Sequence, residues 1–444
     1  MGDSVTRDLD LRMVLLLLLA VGALVAAWYV ARSSPRLVVA AWAAACFFVP
    51  IWVGVQAGVY WSALTALTLV ALAAWSTTAF PFSYVDVLVI AFVLLVLTAF
   101  LVGGSAWGHV LIVLSGWLVP YAWGRVVLAR VDADWLYSCI AVVATGAAVL
   151  GIVEFTTGFN PFVGITVPNS AWVTWHELQP RAGFIRVEGA FGHSIAFASA
   201  LAMSSIFVVV ARWPVVVRLA SLAAVVAAVG MSFSRIGMIT LMITLVLGVL
   251  LLGRWITRTM RLAVTVLLLA AAAIAVPLLG EVFTAAGEEA GGSAEYRSDL
   301  ASLIGDMRVL GITSGWTVLP TGETYYGTFQ SIDSELVLTG LRFGSLPLLV
   351  VIAAIVACVL SLLRGRATPA SVAVAAQVPA FATVALITQY GFLVWFLAGL
   401  AVTAYQAEEL SDMKDPSDTL MAADSISQPG NVSSAPSGVP RERV

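Results

Sequence analysis

The chain is built from recurring apolar runs of roughly 17–25 residues, a length that crosses the ~30 Å hydrocarbon core of a bilayer as a helix. Hydrophobic residues make up 61% of its 444 positions and charged residues only 11%. A soluble domain carries about 45–50% apolar and about 25% charged residues, so this composition excludes a soluble fold. Each backbone polar group in hydrocarbon needs an internal partner, which a helix supplies. The sequence therefore predicts an all-α polytopic membrane protein.

The apolar runs can be assigned to candidate spans and oriented by the arginines between them. The candidate spans are 13–30, 37–55, 59–75, 84–102, 107–124, 135–153, 190–210, 214–232, 236–253, 262–280, 335–362, 371–388 and 391–405. Clustered arginines occupy three short connections, at 212–218, 254–261 and 364–366. The positive-inside rule assigns these connections to the cytoplasm. With both termini inside, we expect about 12 (12–13) transmembrane helices, the runs 37–55 and 59–75 being a single broken unit or one of them not crossing fully.

The same orientation leaves two longer connections on the outer side, 154–189 and 281–334, the second of them large and acidic. Residues 1–406 are then one transmembrane domain with these two outer loops. The tail 407–444 is rich in Ser, Pro, Gly, Asp and Glu and has almost no aromatic residues. Such a segment buries too little apolar surface to fold, so a disordered cytoplasmic tail is predicted.

Three arginines stand at the outer ends of apolar spans, where a guanidinium needs a partner or a polar cavity. They are Arg186, Arg235 and Arg297. Planar guanidinium groups bind diphosphates well. Because the three arginines are predicted on the same side of the membrane, they indicate a site for an anionic group. His193 follows the first of them and has two equally good roles, a hydrogen bond to a phosphate or a cap on the next helix. The three cysteines lie far apart in apolar runs, and no spacing of Cys and His indicates a metal site.

Two carboxylates, Asp333 and Glu335, stand where the second outer loop re-enters the bilayer at the span 335–362. A carboxylate at a helix N-terminus is either a cap that interacts with the helix dipole or a general base within reach of a substrate hydroxyl. Before them, the period of the apolar residues predicts an amphipathic helix at about 296–308. The Trp and Tyr residues that follow suit sugar stacking and the membrane interface equally.

Several short motifs resemble the family of O-antigen ligases and O-antigen polymerases, which are polytopic membrane glycosyltransferases. The similar stretches are the aromatic-Gly-Arg helix end at 120–125, the segment 154–160, the Arg-x-x-Gly-x-Phe-x-His turn at 186–193, the Ser-Arg turn at 234–237, and Arg297. They keep the family's order over most of the membrane region. One motif departs from the ligase pattern, because Asp333-Ser334 stands where ligases carry His-Asn. That pair is closer to the polymerase-like members.

The resemblance implies a GT-C-like glycosyltransferase that needs neither a metal nor another cofactor. It would transfer a glycan from a polyprenyl diphosphate to a sugar hydroxyl at the outer face of a bacterial cytoplasmic membrane. The expected catalytic residues are Arg186, Arg235 and Asp333, and the expected substrate-binding residues are Arg297, His193, Arg181, Glu335 and Arg125. The expected partners are the lipid-linked donor, an acceptor glycan or glycolipid, the bilayer and envelope-synthesis proteins, without nucleic acid.

Two other functions compete with this one. A transporter or flippase of lipid-linked glycans needs polar residues along its spans, whereas charge here concentrates at their ends. A non-catalytic scaffold of an envelope-synthesis complex would tolerate the loss of Arg186, Arg235 or Asp333.

Overall fold

A computed structural model describes residues 21–57, 59–78, 80–178, 180–181, 184–285, 300, 302–319 and 324–414. The described helices are α1 (Val21–Ser33), α2 (Pro35–Phe48), α3 (Ala63–Ala74), α4 (Tyr84–Leu101), α5 (Trp107–Ala129), α6 (Ala133–Thr157), α7 (Ser170–Trp175), α8 (Ser194–Val210), α9 (Val215–Met231), α10 (Arg235–Leu251), α11 (Arg258–Ala285), α12 (Glu335–Phe343), α13 (Ser345–Leu363), α14 (Pro369–Ala375), α15 (Val378–Thr383) and α16 (Thr388–Lys414). Helices α4, α5, α6, α13 and α16 are long and apolar enough to cross a membrane. The chain is therefore an all-α membrane protein.

Sheet structure in the described residues is confined to three small antiparallel hairpins. Their strands are β1 (Gly54–Ala57) with β2 (Val59–Ser62), β3 (Pro180–Arg181) with β4 (Phe184–Ile185), and β5 (Trp316–Val318) with β6 (Thr324–Tyr326). The β3–β4 and β5–β6 hairpins belong to the segments 158–193 and 302–334, which connect long helices. We call the end of the helix bundle that carries these two segments the loop end, and the opposite end the tail end.

Helix α8 forms the centre of the bundle. Nearly all of its residues are buried, and most of them are small or apolar, as in its first turns Ser-Ile-Ala-Phe-Ala-Ser-Ala. Small side chains let neighbouring helices approach closely, which is how helices associate without a hydrophobic driving force. Helices α6, α9, α10 and α14 all pack against it. Because α8 contributes no charged side chain, polar chemistry is left to the ends of the helices.

Helices α5 and α16 pack most closely where two glycines face the partner's backbone. A Cβ atom on Gly124 would collide with the Phe396 carbonyl oxygen, and one on Gly399 would collide with the Tyr121 carbonyl oxygen. Earlier in α5 the helix widens into a π-helical segment, Ile112–Leu118. Pro120 follows directly and has no N–H to donate to the preceding turn, which accounts for the irregularity.

Several predicted spans differ from the helices. The predicted spans 37–55 and 59–75 extend too far towards each other, because residues 54–55 and 59–62 belong to the paired strands β1 and β2, which are rich in β-branched and aromatic residues. The predicted span 335–362 is two helices, since Gly344 breaks it with a φ of 105°. The predicted span 371–388 is likewise interrupted between α14, α15 and α16. The total of about 12 spans remains a prediction.

The predictions for the helix 296–308 and for the tail 407–444 also differ from the structure. In the described part of the predicted amphipathic helix 296–308, a short 3-10 turn, Leu303–Asp306, ends before Met307, whose backbone is extended. Helix α16 continues to Lys414, so the first residues of the predicted tail 407–444 are helical. The remainder of that tail lies outside the described residues.

We predict that Gly399→Ala destabilises the protein, because the new methyl group would meet the Tyr121 carbonyl in a backbone contact that cannot relax. Overpacking of this kind costs roughly 1–3 kcal/mol. Thermal unfolding of the purified protein in detergent should show a lower midpoint. Gly116→Ala is the matched control, since its Cβ meets nothing within 4 Å in the same pair of helices. Equal midpoints for the two variants would contradict the close packing.

Candidate functional site

The turn that carries Arg186 and the turn that carries Arg235 are joined at the loop end. Arg186 is buried, and its Nε donates a hydrogen bond to the Ser232 carbonyl oxygen at 3.0 Å. That carbonyl belongs to the C-terminal end of α9, where the helix dipole favours a cation. Phe233 reverses the chain with a φ of 50°, and Ser234 then caps α10 by accepting from Gly237 N. Half-buried Arg235 begins that helix.

The Glu154 carboxylate organises the Arg186 turn. It lies at the end of α6, is buried, and accepts three hydrogen bonds. The donors are Asn160 Nδ2 at 2.9 Å, Glu188 N at 3.2 Å and Gly189 N at 2.9 Å. Asn160 Nδ2 also donates to the Gly189 carbonyl oxygen. One carboxylate therefore fixes the backbone directly after Arg186, and so fixes the direction from which its guanidinium emerges.

His193 caps helix α8 at the other end of the same turn. Its Nδ1 accepts from Ile195 N at 3.2 Å, which leaves Nε2 as the N–H of a neutral ring. Burial and the nearby positive Arg186 lower the pKa of His193 to about 4. The ring also meets Trp175 edge-on, with 6.1 Å between centroids. The sequence left capping and phosphate binding open; the cap is present, and the neutral ring keeps one N–H to donate.

A segment before helix α16 connects the Arg186 turn with helix α12. Buried Gln389 donates through Nε2 to the carbonyl oxygens of Ala190, at 3.1 Å, and Val49, at 2.7 Å. Three residues earlier, Leu386 N donates to Glu335 Oε2 at 2.8 Å. The segment 386–389 thus contacts the Arg186 turn on one side and the Glu335 carboxylate on the other.

The two predicted carboxylates differ sharply in environment. Asp333 is exposed, and its Oδ1 accepts a hydrogen bond from Ser331 Oγ at 3.3 Å. Glu335 is buried in the first turn of α12, where its carboxylate accepts from Leu386 N and, at 3.4 Å, from Thr339 Oγ1. Burial raises the pKa of Glu335, against the opposing effect of these hydrogen bonds. Ser334, between the two, supplies the helix cap by accepting from Val337 N. Asp333 is therefore open to solvent and to a substrate, whereas the Glu335 carboxylate is already engaged by hydrogen bonds within the protein.

An apolar groove begins beside Glu335 and runs along helix α16 between α4 and α13. It has a cavity volume of about 130 Å³ and is lined mainly by aliphatic side chains, with Glu335 and Leu386 near the loop end and Ser83 and Tyr405 near the tail end. The α16 residues that line it extend from Val394 to Tyr405, about 17 Å at 1.5 Å per residue. Along this helix the groove therefore covers roughly half of the ~30 Å hydrocarbon core.

Of the other predicted site residues, Arg125 lies away from this cluster. Arg125 lies near the tail end, where it forms a buried ion pair with Asp86 at 2.9 Å and also donates to Thr403, Gln406 and the Pro81 carbonyl. Its donors are thus engaged by the protein itself. Arg181 lies in strand β3. Arg297 lies outside the described residues.

Sequence reasoning assigned no role to Glu154, Asn160 or Gln389. A signal existed for the first two, because a carboxylate at the end of an apolar run needs a donor, and an amide follows six residues later. Gln389 gave no such signal, since its partners are backbone carbonyls distant in sequence.

Among the described residues, no group of His, Cys, Asp and Glu is arranged to hold a metal ion. No family model matches the chain, and no curated protein matches it either.

We predict that Glu154→Gln loosens the Arg186 turn. The new amide group would face backbone N–H donors, and each buried donor left unsatisfied costs about 1–3 kcal/mol. Hydrogen–deuterium exchange in the peptide covering 186–193 should become faster, with little change in peptides from α8. Glu177→Gln, an exposed carboxylate in the same connection, is the control. If both variants exchange like the wild type, the carboxylate does not hold the turn.

Proposed function

We propose that the protein is a glycosyltransferase that takes a glycan from a polyprenyl diphosphate and attaches it to a sugar hydroxyl. The observation that carries the proposal is the meeting of the Arg186 and Arg235 turns, tied through the segment 386–389 to the start of the apolar groove. Guanidinium groups and helix N-termini bind the phosphates of a diphosphate, and an apolar groove can hold its prenyl tail. The sequence motifs at 186–193 and 234–237 support the same assignment.

The groove supports a lipid-linked donor rather than a nucleotide-linked one. Its walls are formed by side chains such as Val89, Val351, Ile355 and Val394, and two stacked tryptophans, Trp117 and Trp395, lie 4.6 Å apart at its side. A prenyl tail enters the groove from the bilayer and not from water, so close packing against these side chains, rather than the hydrophobic effect, would hold it. A long isoprenoid bound there would keep its diphosphate at the loop end.

The proposed reaction breaks one bond and forms one bond at the anomeric carbon of the donor sugar. The acceptor hydroxyl oxygen attacks that carbon, and the polyprenyl diphosphate leaves with the bonding electron pair. Arg186 and Arg235 would hold the diphosphate and stabilise the charge that develops on it. The proton of the acceptor hydroxyl passes to the exposed carboxylate of Asp333. The attack occurs opposite the leaving group, so the anomeric configuration inverts.

The loop end would face outward in this proposal, because the arginine-rich connections 212–218, 254–261 and 364–366 belong at the tail end and would be cytoplasmic. The acceptor would be a second lipid-linked unit or an envelope glycan. Asp333-Ser334 in place of His-Asn favours polymerisation over ligation to a lipid acceptor.

We predict that Arg186→Lys and Arg235→Lys each lower transfer about 100-fold or more, because lysine keeps the charge but loses the planar fork that binds a diphosphate. Mass spectrometry of polyprenyl-diphosphate glycans, in cells that depend on each variant, measures the effect. Accumulated single repeat units would indicate a polymerase, and accumulated complete chains would indicate a ligase. Arg212→Lys, at an exposed ion pair with Asp134, is the control for expression and insertion.

Unchanged long glycans in both arginine variants, at normal membrane abundance, would contradict the transferase and favour a scaffold. Lipid-linked glycan trapped on the cytoplasmic leaflet would instead favour a flippase.

We predict that Asp333→Asn lowers transfer by about 10²–10⁴-fold, the usual contribution of a general base, without weakening donor binding. Single-turnover transfer from purified donor, compared with donor retention on the protein, separates the two effects. Asp306→Asn alters another exposed carboxylate in the same outer connection and should leave transfer unchanged. Retained transfer in Asp333→Asn would remove the base assignment and leave the rest of the proposal standing.

A further inference from the structure

A second polar cluster lies at the loop end, apart from Arg186 and Arg235. It consists of His109 in the first turns of α5, Arg342 near the end of α12, and Trp316 and Tyr326 in the β5–β6 hairpin. The register of the hairpin sets Trp316 opposite Tyr326. The His109 and Trp316 rings meet at 66° with 5.5 Å between centroids, and Arg342 Nε donates to the Tyr326 hydroxyl at 3.0 Å. We call these four residues the hairpin cluster.

The hairpin cluster contains buried polar atoms whose hydrogen bonds are not made within the described protein. His109 is only 7% exposed, yet its Nδ1 has no hydrogen-bond partner among the described residues. The same holds for the buried Nε1 of Trp316. A buried polar group that lacks a partner costs about 1–3 kcal/mol, and these two atoms belong to a cluster that also contains an arginine, so one ligand could satisfy them together.

The groups of the hairpin cluster are almost all hydrogen-bond donors. Arg342 uses only its Nε within the described residues, which leaves both terminal nitrogens of the fork. The Tyr326 hydroxyl accepts that bond and keeps its own hydrogen to donate, and the Trp316 indole can only donate. A group that offers only acceptor oxygens and a negative charge, such as a carboxylate, complements this set.

We propose that the hairpin cluster is a binding subsite for an acidic sugar, with Arg342 holding the carboxylate, the half-buried Trp316 ring lying against the sugar, and Nδ1 of the buried His109 completing its hydrogen bond there. The hairpin argues for a saccharide over a lipid headgroup, because two of the four residues come from strands in a connection and not from a membrane-spanning helix. Phe343 also covers His109 edge-on at 6.3 Å. Its role as an acceptor site rests on the proposed glycosyl transfer, whereas the binding itself does not.

The position of the subsite fits an acceptor. Arg342 and Glu335 are seven residues apart in α12, which is about 10 Å along a helix. Asp333, the proposed base, directly precedes that helix. An oligosaccharide whose acidic sugar binds Arg342 is therefore long enough to reach along α12, so that a hydroxyl on another of its sugars lies near Asp333.

Isothermal titration calorimetry of the full-length protein in nanodiscs tests the binding. The probes are a tetrasaccharide containing glucuronic acid and a neutral maltotetraose. We expect the acidic tetrasaccharide to bind and the neutral one not to bind. Arg342→Gln should weaken the binding at least about tenfold, since it removes charge-assisted hydrogen bonds. His109→Phe keeps the ring packing and should also weaken it, while Arg308→Gln, an exposed arginine of the same outer connection, should not.

Three outcomes would overturn the subsite. The first is equal binding of the acidic tetrasaccharide to wild type and to both cluster variants. The second is no binding of either saccharide to the monodisperse wild type. The third is native mass spectrometry that shows an anionic lipid on the wild type and its loss in Arg342→Gln, which would assign the site to a headgroup.

The binding result is independent of the proposed transfer. If Arg186→Lys abolishes transfer while Arg342→Gln binds the acidic tetrasaccharide normally, the subsite fails and the transferase stands. If Arg342→Gln abolishes binding while Arg186→Lys leaves the glycans unchanged, the subsite stands and the transferase fails.

Discussion

The hydrogen bonds that the Glu154 carboxylate accepts are the contacts on which the candidate site most depends. A carboxylate at the end of a membrane helix is costly unless its oxygens are satisfied, and here the loop satisfies them with its own backbone. The same hydrogen bonds thus offset both the free-energy cost of burying the carboxylate and the entropy cost of ordering the loop. Arg186 emerges two residues before this anchor and finds the Ser232 carbonyl, so the position of one helix end sets that of the next.

Buried charge follows the same rule at the opposite end of the molecule, with a different result. The Arg125–Asp86 pair joins α4 to α5, and further bonds to Thr403 and Gln406 add α16. Tyr121 donates its hydroxyl to the same carboxylate at 2.6 Å. All three guanidinium nitrogens of Arg125 donate to protein atoms, so the ion pair serves to hold the helices together. At the loop end, by contrast, Arg342 keeps its terminal nitrogens clear of described partners, which is what binding a ligand requires.

The class of fold was predictable from the sequence because bilayer thickness acts on each apolar run separately. The long runs at 84–102 and 135–153 correspond to α4 and α6 within a few residues. Where the prediction was wrong, a local signal competed with hydrophobicity. The β-branched and aromatic residues of 54–62 form a hairpin, and Gly344 breaks a run that reads as continuous. For the site, the turns of Arg186, Arg235 and His193 do meet, whereas Arg125 could not be separated from them, because its partner Asp86 is 39 residues away in sequence. Gln389, whose partners are distant backbone atoms, was out of reach for the same reason.

The distribution of polarity along the groove bears on which function the molecule can perform. A flippase must carry a diphosphate across the bilayer, and moving an unpaired charge through hydrocarbon is strongly unfavourable. The middle of the groove offers aliphatic walls from Val89, Val351 and Val394, while its carboxylate, Glu335, is confined to the loop end and already accepts a backbone hydrogen bond. Such a groove is better matched to an apolar tail than to a charged headgroup. In the proposed function, the diphosphate of a lipid-linked substrate would therefore stay beside the Arg186 turn, which agrees with transfer at the loop end better than with passage across the bilayer.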